Sequence, residues 1–219
     1  MPGETDRKGK VGRPARLSQD AIVVAADRLL RTEGADGLSM RRLAKELGST
    51  PMALYHHVRD KDELLLLLLE SHARHIPRRE FSDDPRARLL EVACALYEGL
   101  AERPWIIEVL TSDPLFVPSA MRMVELIVAA AVDCGCSTEE AVDVYRTIWY
   151  YIVGDLIIRV NRERRKVRLE SAIDPTMDRL DAEELPTLAA IADQWGELTY
   201  RDTHRKGLAA IVNGLVPPR

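Results

Sequence analysis

The chain is poor in several residue classes, and each shortage removes a possibility. Aromatic side chains make up only 5% of its 219 residues. Alternating Val/Ile/Thr-rich runs separated by hairpin turns are missing, so an all-β fold has no support. Cysteine occurs three times, as Cys94, Cys134 and Cys136, an odd and sparse set. That argues against a disulfide scaffold and fits a reducing compartment, so a cytoplasmic location is expected. The first residues lack the apolar core of an export signal. Apolar runs are short: Leu64 to Leu69, between Glu63 and Glu70, spans six residues. As a helix that is roughly 9 Å, far short of a bilayer, and no membrane partner is expected. There is no Gly-rich phosphate loop, no Gly-x-Ser-x-Gly elbow and no His-Glu-x-x-His run. Nothing therefore motivates an enzyme, and no cofactor is expected.

What is present points to helices. Hydrophobic residues reach 46%, enough to bury a real core, and Leu, Ala, Arg and Glu dominate. The net charge of −4 hides an asymmetry. Residues 1–61 hold 12 Lys/Arg against 8 Asp/Glu, a net of +4. Residues 62–219 hold 19 against 27, a net of −8. A basic head on an acidic body suits contact with phosphates at one end only.

The pattern divides the chain into a Gly/Pro/Lys/Arg-rich arm (1–17), a small helical head (18–63) and a larger helical body (64–219). In the head, Ser18 is an N-cap and Ile22, Ala25, Ala26, Leu29 and Leu30 repeat at helical spacing, with Gly34 placed to end that helix. Ser39 caps a second helix, Gly48 makes a turn, and Thr50-Pro51 reads as N-cap plus first residue of a short third helix. Asp60 and Glu63 have capping-box spacing for a fourth, reaching about His75. In the body, helices are expected at about 85–102, 104–111, 119–134, 138–165, 186–195 and 197–214, punctuated by prolines and Gly135.

The stretch from Ser39 to Lys61 is the most informative. Leu38, Leu43, Leu47 and Leu54 can pack against Ile22, Ala26 and Leu29, which would leave the helix after Gly48 as an outward-facing rod. Its free face offers Thr50, Pro51, Met52, Tyr55 and His56. A helix of this kind fits the major groove of DNA, where base edges are distinguishable. Arg41 and Arg42 on the preceding helix lie near where phosphates would run. Thr50, Tyr55 and Lys61 are phosphate candidates, Lys61 at a helix start where free N–H groups favour an anion. Lys8, Lys10, Arg13 and Arg16 in the arm can enter a minor groove. The plain alternative is a capped helical hairpin with a solvated charged face, or a protein-interaction module whose basic head meets acidic partners. The basic arm, Arg41-Arg42, Thr50-Pro51 and the Tyr55–Lys61 spacing together favour the DNA reading.

These residues resemble the tetracycline-repressor (TetR) family of transcription regulators. The likeness is carried by Gly37-Leu38-Ser39-Met40-Arg41-Arg42-Leu43-Ala44, by Leu47-Gly48, and by Leu54-Tyr55-His56-His57-Val58-Arg59-Asp60-Lys61-Asp62-Glu63-Leu64-Leu65. It implies an all-α protein: an N-terminal three-helix helix-turn-helix domain and a larger helical domain for ligand binding and dimerisation. It implies that Tyr55, His57 and Lys61 touch DNA with Arg41 nearby, and that a homodimer binds a palindromic operator. Trp149-Tyr150-Tyr151-Ile152-Val153-Gly154 resembles the family's long interface helix. Gly207-Leu208 and Asn213-Gly214-Leu215 resemble its C-terminal pattern, although His204-Arg205-Lys206 stands where aromatics are common.

Two jobs are expected of the body. For a two-fold contact between subunits the candidates are Ile148, Ile152, Gly154, Leu208, Ile211 and Leu215. For sensing a small apolar or amphipathic effector they are Trp105, Val109, Phe116, Met123, Trp149 and Tyr150, with Tyr97, Asp155 and Arg159 as polar members. For any one of these, ordinary core packing is the competing explanation. Cys134-Gly135-Cys136 lacks the nearby histidines of a zinc site. His72 and His75, neighbours on a helix face near Glu70, are a weak metal pair. The basic run from Arg162 to Arg168 is read as a solvated helix end whose cations offset the dipole.

Overall fold

The computed structural model describes residues 17–76, 79–112, 117–168 and 180–218. Among them the regular structure is entirely helical. The chain forms two compact units, Met1–Leu68 and Leu69–Arg219.

In the first unit, α1 (Gln19–Gly37), α2 (Met40–Glu46), α3 (Pro51–Tyr55) and the start of α4 (Lys61–Arg74) follow in order. The starts of the first three are fixed by local chemistry. Ser18 accepts from the Ala21 N–H at 3.2 Å, Ser39 from Arg42 at 3.2 Å and Thr50 from Ala53 at 3.3 Å. Each side chain satisfies a donor that the first turn of a helix leaves open. Asp60 does the same for α4, accepting from the Glu63 N–H at 2.8 Å. Glu63 reaches back to the N–H of Arg59, one residue before the cap, so the capping box is displaced by one position. At Gly34 the helix breaks (φ 74°, ψ −178°), but helical turns resume and run to Gly37. Ile22, Leu43, Leu54 and Leu64 are wholly buried and Val58 nearly so, while Leu47, expected inside, is only half-buried.

The second unit holds α5 (Pro85–Ala101), α6 (Pro104–Ser112), a 3₁₀ turn (Pro118–Ala120), α7 (Met121–Asp133) and α8 (Thr138–Arg168). These are followed by α9 (Pro186–Ala189), a 3₁₀ turn (Ala192–Gln194), α10 (Trp195–Tyr200) and α11 (His204–Leu215). α5 packs against α7 and α11, and α8 against α6, α7 and α11. Leu89, Val92, Ala93, Ile127, Ala130 and Ala131 form the fully buried centre. Ile148, Ile152 and Leu208 belong to it too, at 0% exposure within one chain. That corrects the expectation that they form a subunit seam: they lie on the inner stripe of their helices with Ala141, Val144, Leu156 and Val212. The single helix expected over 197–214 is two. Arg201 turns extended (φ −61°, ψ 138°), and Asp202 accepts from the His204 N–H at 3.3 Å to start α11 afresh.

Candidate nucleic-acid interface and ligand pocket

The turn between α2 and α3 depends on Gly48, whose φ of +59° lies in the left-handed region that side chains resist. Ser49 donates to the Ala44 carbonyl at 2.9 Å as the chain reverses. Thr50 then caps α3 and Pro51 supplies a first residue that lacks the N–H no helix would use. Leu54 anchors the inner face. The outer face presents Thr50, Pro51, Met52, Tyr55 and His56, all exposed, with Met52 at 71% and Tyr55 at 47%. An exposed methionine and tyrosine beside hydroxyl and imidazole groups form a surface able to meet base edges and methyl groups. His57, by contrast, is half-buried.

The cations near this face differ in availability. Arg41 is exposed. Arg42 is committed within the head: its guanidinium donates to Glu33 at 2.7 Å and to Glu46 at 3.1 Å. Glu46 also accepts from Arg28 at 2.6 Å. The hydrogen bond to Glu33, then that to Glu46, hold Arg42 above the usual arginine range. These pairs tie Arg42 to the head, and the exposed Arg41 is the freer of the two arginines. Lys61 is half-buried and donates to the Ala35 carbonyl at 3.3 Å, which ties α4 to the end of α1. An ammonium has three donors, so this contact leaves it able to meet an anion. Lys45, exposed one turn beyond Arg41, escaped the sequence reading; the Arg41–Lys45 spacing of four on α2 was the available signal. Lys8, Lys10, Arg13 and Arg16 lie outside the described residues, as does Phe116.

In the second unit, three of the expected ligand residues meet. Tyr97 on α5 is buried; it donates to Asp155 at 2.6 Å and accepts from Arg159 at 3.0 Å. Burial first, then the bond to Asp155, push its phenol up to about 12. His204 stacks flat on the Tyr97 ring, 4.1 Å between centroids, with its Nδ1 2.5 Å from Asp202. That bond is the main cause holding the Asp202 carboxyl below its usual range. Arg159 lies 3.6 Å from the same carboxylate. Beside this cluster opens a cavity of about 490 Å³, walled by Leu100, Pro104, Leu156 and Val160 among others. At Gly207 a Cβ would meet the Tyr151 hydroxyl unless that side chain shifted.

The remaining candidates stand apart from this cavity. Trp105, Val109 and Met123 are buried but are not among the residues lining it. Trp105 instead meets His72, ring centroids 5.4 Å apart, and its indole N–H finds no acceptor. Trp149 is half-buried. Tyr150 is 61% exposed, with Arg146 over its ring, which corrects its assignment to an interior pocket: it lies on the outer stripe of α8. Asp202 and His204 were missed because they read as helix interior. Among the described residues no group of three or more His, Cys, Asp or Glu is placed to hold a metal ion. Burial pushes the Cys134 and Cys136 thiols up, away from thiolate reactivity.

A capped helix-turn-helix in one unit and a cavity-bearing helical body in the other define a DNA-binding transcription regulator. Two family descriptions match the chain: bacterial regulatory proteins of the tetR family over residues 22–68, and the tetracyclin repressor-like C-terminal domain over residues 77–217. The protein belongs to the tetR family, whose members regulate transcription rather than catalyse reactions. It is 35% identical over 153 residues to the HTH-type transcriptional repressor DrrR1 of Streptomyces coeruleorubidus, a match covering 69% of this chain and 57% of that protein. The chain thus spans under two thirds of that relative. It is also similar to Streptomyces coelicolor ActR in complex with actinorhodin, at 28% identity and a TM-score of 0.72, over 92% of this chain and 96% of that one. BioQ, solved from Mycobacterium smegmatis, matches in complex with its double-stranded DNA operator at 26% identity and a TM-score of 0.61, covering 91% and 98%. No helix among the described residues is long and apolar enough to cross a membrane.

Proposed function

We propose that the protein is a homodimeric repressor that occupies a palindromic operator and leaves it when a small amphipathic ligand binds the body. The observation that carries this reading is the outward face of α3, where Thr50, Pro51, Met52, Tyr55 and His56 are exposed together while Leu54 and Val58 hold the helix to its scaffold. Arg41, Lys45 and Lys61 supply phosphate contacts around it, and the arm residues Arg13 and Arg16 extend them.

The reading of a two-fold contact rests on the outer stripe of α8. Val142, Tyr150, Ile157 and Ile158 are 43%, 61%, 37% and 53% exposed and lie on one side at helical spacing. Gly154 sits in the same stripe, and a Cβ there would meet nothing within 4 Å. Leu215 of α11 is 44% exposed, and Ile211 is half-buried. An exposed apolar patch of this kind suits an isologous dimer. The ligand acts by preferring a state of the body that DNA does not, since only differential affinity shifts an equilibrium.

The test is operator binding by a promoter fragment selected from genomic DNA. Tyr55→Ala and Lys61→Ala are expected to weaken binding about tenfold or more, each lost contact amounting to roughly 1–3 kcal/mol. Lys61→Ala should also flatten the dependence of affinity on salt, because one phosphate contact fewer releases less counterion. Unchanged affinity in both variants, or equal binding to a randomised duplex, would remove the DNA face from α3.

A further inference from the structure

The cavity beside Tyr97 has an uneven charge. Its walls are Leu100, Pro104, Leu156 and Val160, but four carboxylates line it (Glu98, Glu102, Glu163 and Asp202) against the single guanidinium of Arg159. Arg159 is already engaged, by the Tyr97 hydroxyl at 3.0 Å and by Asp202 at 3.6 Å. Glu98 and Glu102 each meet an arginine, Arg79 at 3.3 Å and Arg103 at 3.0 Å. Both are open pairs, with the Glu98 and Glu102 side chains 50% and 69% exposed, and open pairs hold weakly. Glu163, one turn beyond Arg159 on α8, is exposed at the same mouth. Asp202 stays ionised, since its bond to His204 lowers its proton affinity.

We infer that this cavity is built for an amphipathic organic cation. The apolar part of the ligand would lie against Leu100, Leu156 and Val160, and its positive centre near Glu163, Glu102 and Asp202. An anion of equal size would face those four carboxylates with the single guanidinium of Arg159 to compensate. A neutral ligand would gain the apolar wall alone. A mouth lined by one sign of charge also concentrates ions of the other sign, so binding should fall as salt rises. The inference deepens the effector reading above and rests on it for its regulatory meaning, while the binding itself stands separately.

Tetraphenylphosphonium and tetraphenylborate have the same shape and opposite charge, with triphenylphosphine oxide as a neutral relative. Calorimetric titration of the full chain should give one site for the phosphonium, with the borate at least tenfold weaker. Glu163→Gln combined with Glu102→Gln should weaken the phosphonium at least tenfold and leave the neutral probe within twofold, at an unchanged melting temperature. Borate binding equal to or tighter than the phosphonium overturns the inference. So does a phosphonium affinity that the carboxamide variants leave unmoved, or no binding of any probe to the folded protein. Operator release is scored apart by gel shift. Phosphonium bound without release keeps the cation cavity and removes the effector role; release by the borate alone does the reverse.

Discussion

Tyr97→Phe tests whether the polar cluster between α5 and α8 is held by one hydroxyl. In the native chain that hydroxyl is buried and serves two charged groups, donating to Asp155 at 2.6 Å and accepting from Arg159 at 3.0 Å. Hydrogen bonds to charged groups contribute roughly 1.5–3 kcal/mol each. Asp155 is half-buried and Arg159 exposed, so water recovers part of what both lose. A net loss of about 2 kcal/mol is expected near pH 8, or roughly 4–8 °C in melting temperature for a chain of this size. The pH dependence makes the test sharper. Tyr97 titrates near 12 when folded against an ordinary value of 10.0. Between those values the folded state keeps a proton that the unfolded state has lost. Its contribution is therefore complete below pH 10 and disappears as the pH climbs towards 12, with an upper bound of about 3 kcal/mol. The phenylalanine variant lacks this slope, so the stability gap between the two proteins should close over that interval. Urea unfolding followed by far-ultraviolet circular dichroism at pH 8, 9.5 and 11 measures it. A variant as stable as the parent at pH 8, or a gap that ignores pH, refutes the reasoning.

Two further outcomes bear on the head and the subunit contact. Thr50→Ala removes the cap of a five-residue helix. It should cost about 1 kcal/mol of head stability and weaken operator binding with it; melting and gel shift both unmoved would mean α3 is held by packing alone. Tyr150→Asp with Ile157→Asp should turn the dimer into a folded monomer in sedimentation, whereas Ile148→Asp, at a wholly buried position, should unfold the body. A double variant that still sediments as a dimer would place the contact elsewhere.

The head was legible because its decisive interactions are local. Ser18, Ser39 and Thr50 each reach a backbone N–H three residues on, and that distance is written in the chain. Gly48 and Pro51 act through their own torsions. The ion pairs of Arg42 were only half legible: Glu46 lies four residues on along the same helix, but Glu33 lies on another helix nine residues earlier. No spacing rule reports a pair of that kind, whereas the exposed Arg41–Lys45 pair on one helix was open to such a rule.

The body resisted reading for a different reason. From Ile148 to Val153 α8 is apolar on every side, so hydrophobic periodicity cannot say which stripe meets its own core. Burial of Ile148 and Ile152 and exposure of Tyr150 and Ile158 set the phase of the helix, with Ile148 and Ile152 turned inward. The cavity shows the same limit. Tyr97, Asp155 and Arg159 were recognisable as polar members among apolar neighbours, but the wall opposite them comes from a break in the last helix. Asp202 follows the extended Arg201 and accepts from the N–H of His204, the first residue of α11, and that break brings His204 onto the Tyr97 ring and a carboxylate to Arg159. Read as continuous helix, the same Asp and His would be solvated surface. The feature that complicates the fold here is therefore the one that assembles the cavity: one carboxylate oxygen of Asp202 accepts from the first N–H of α11 and the other faces Arg159 at its mouth.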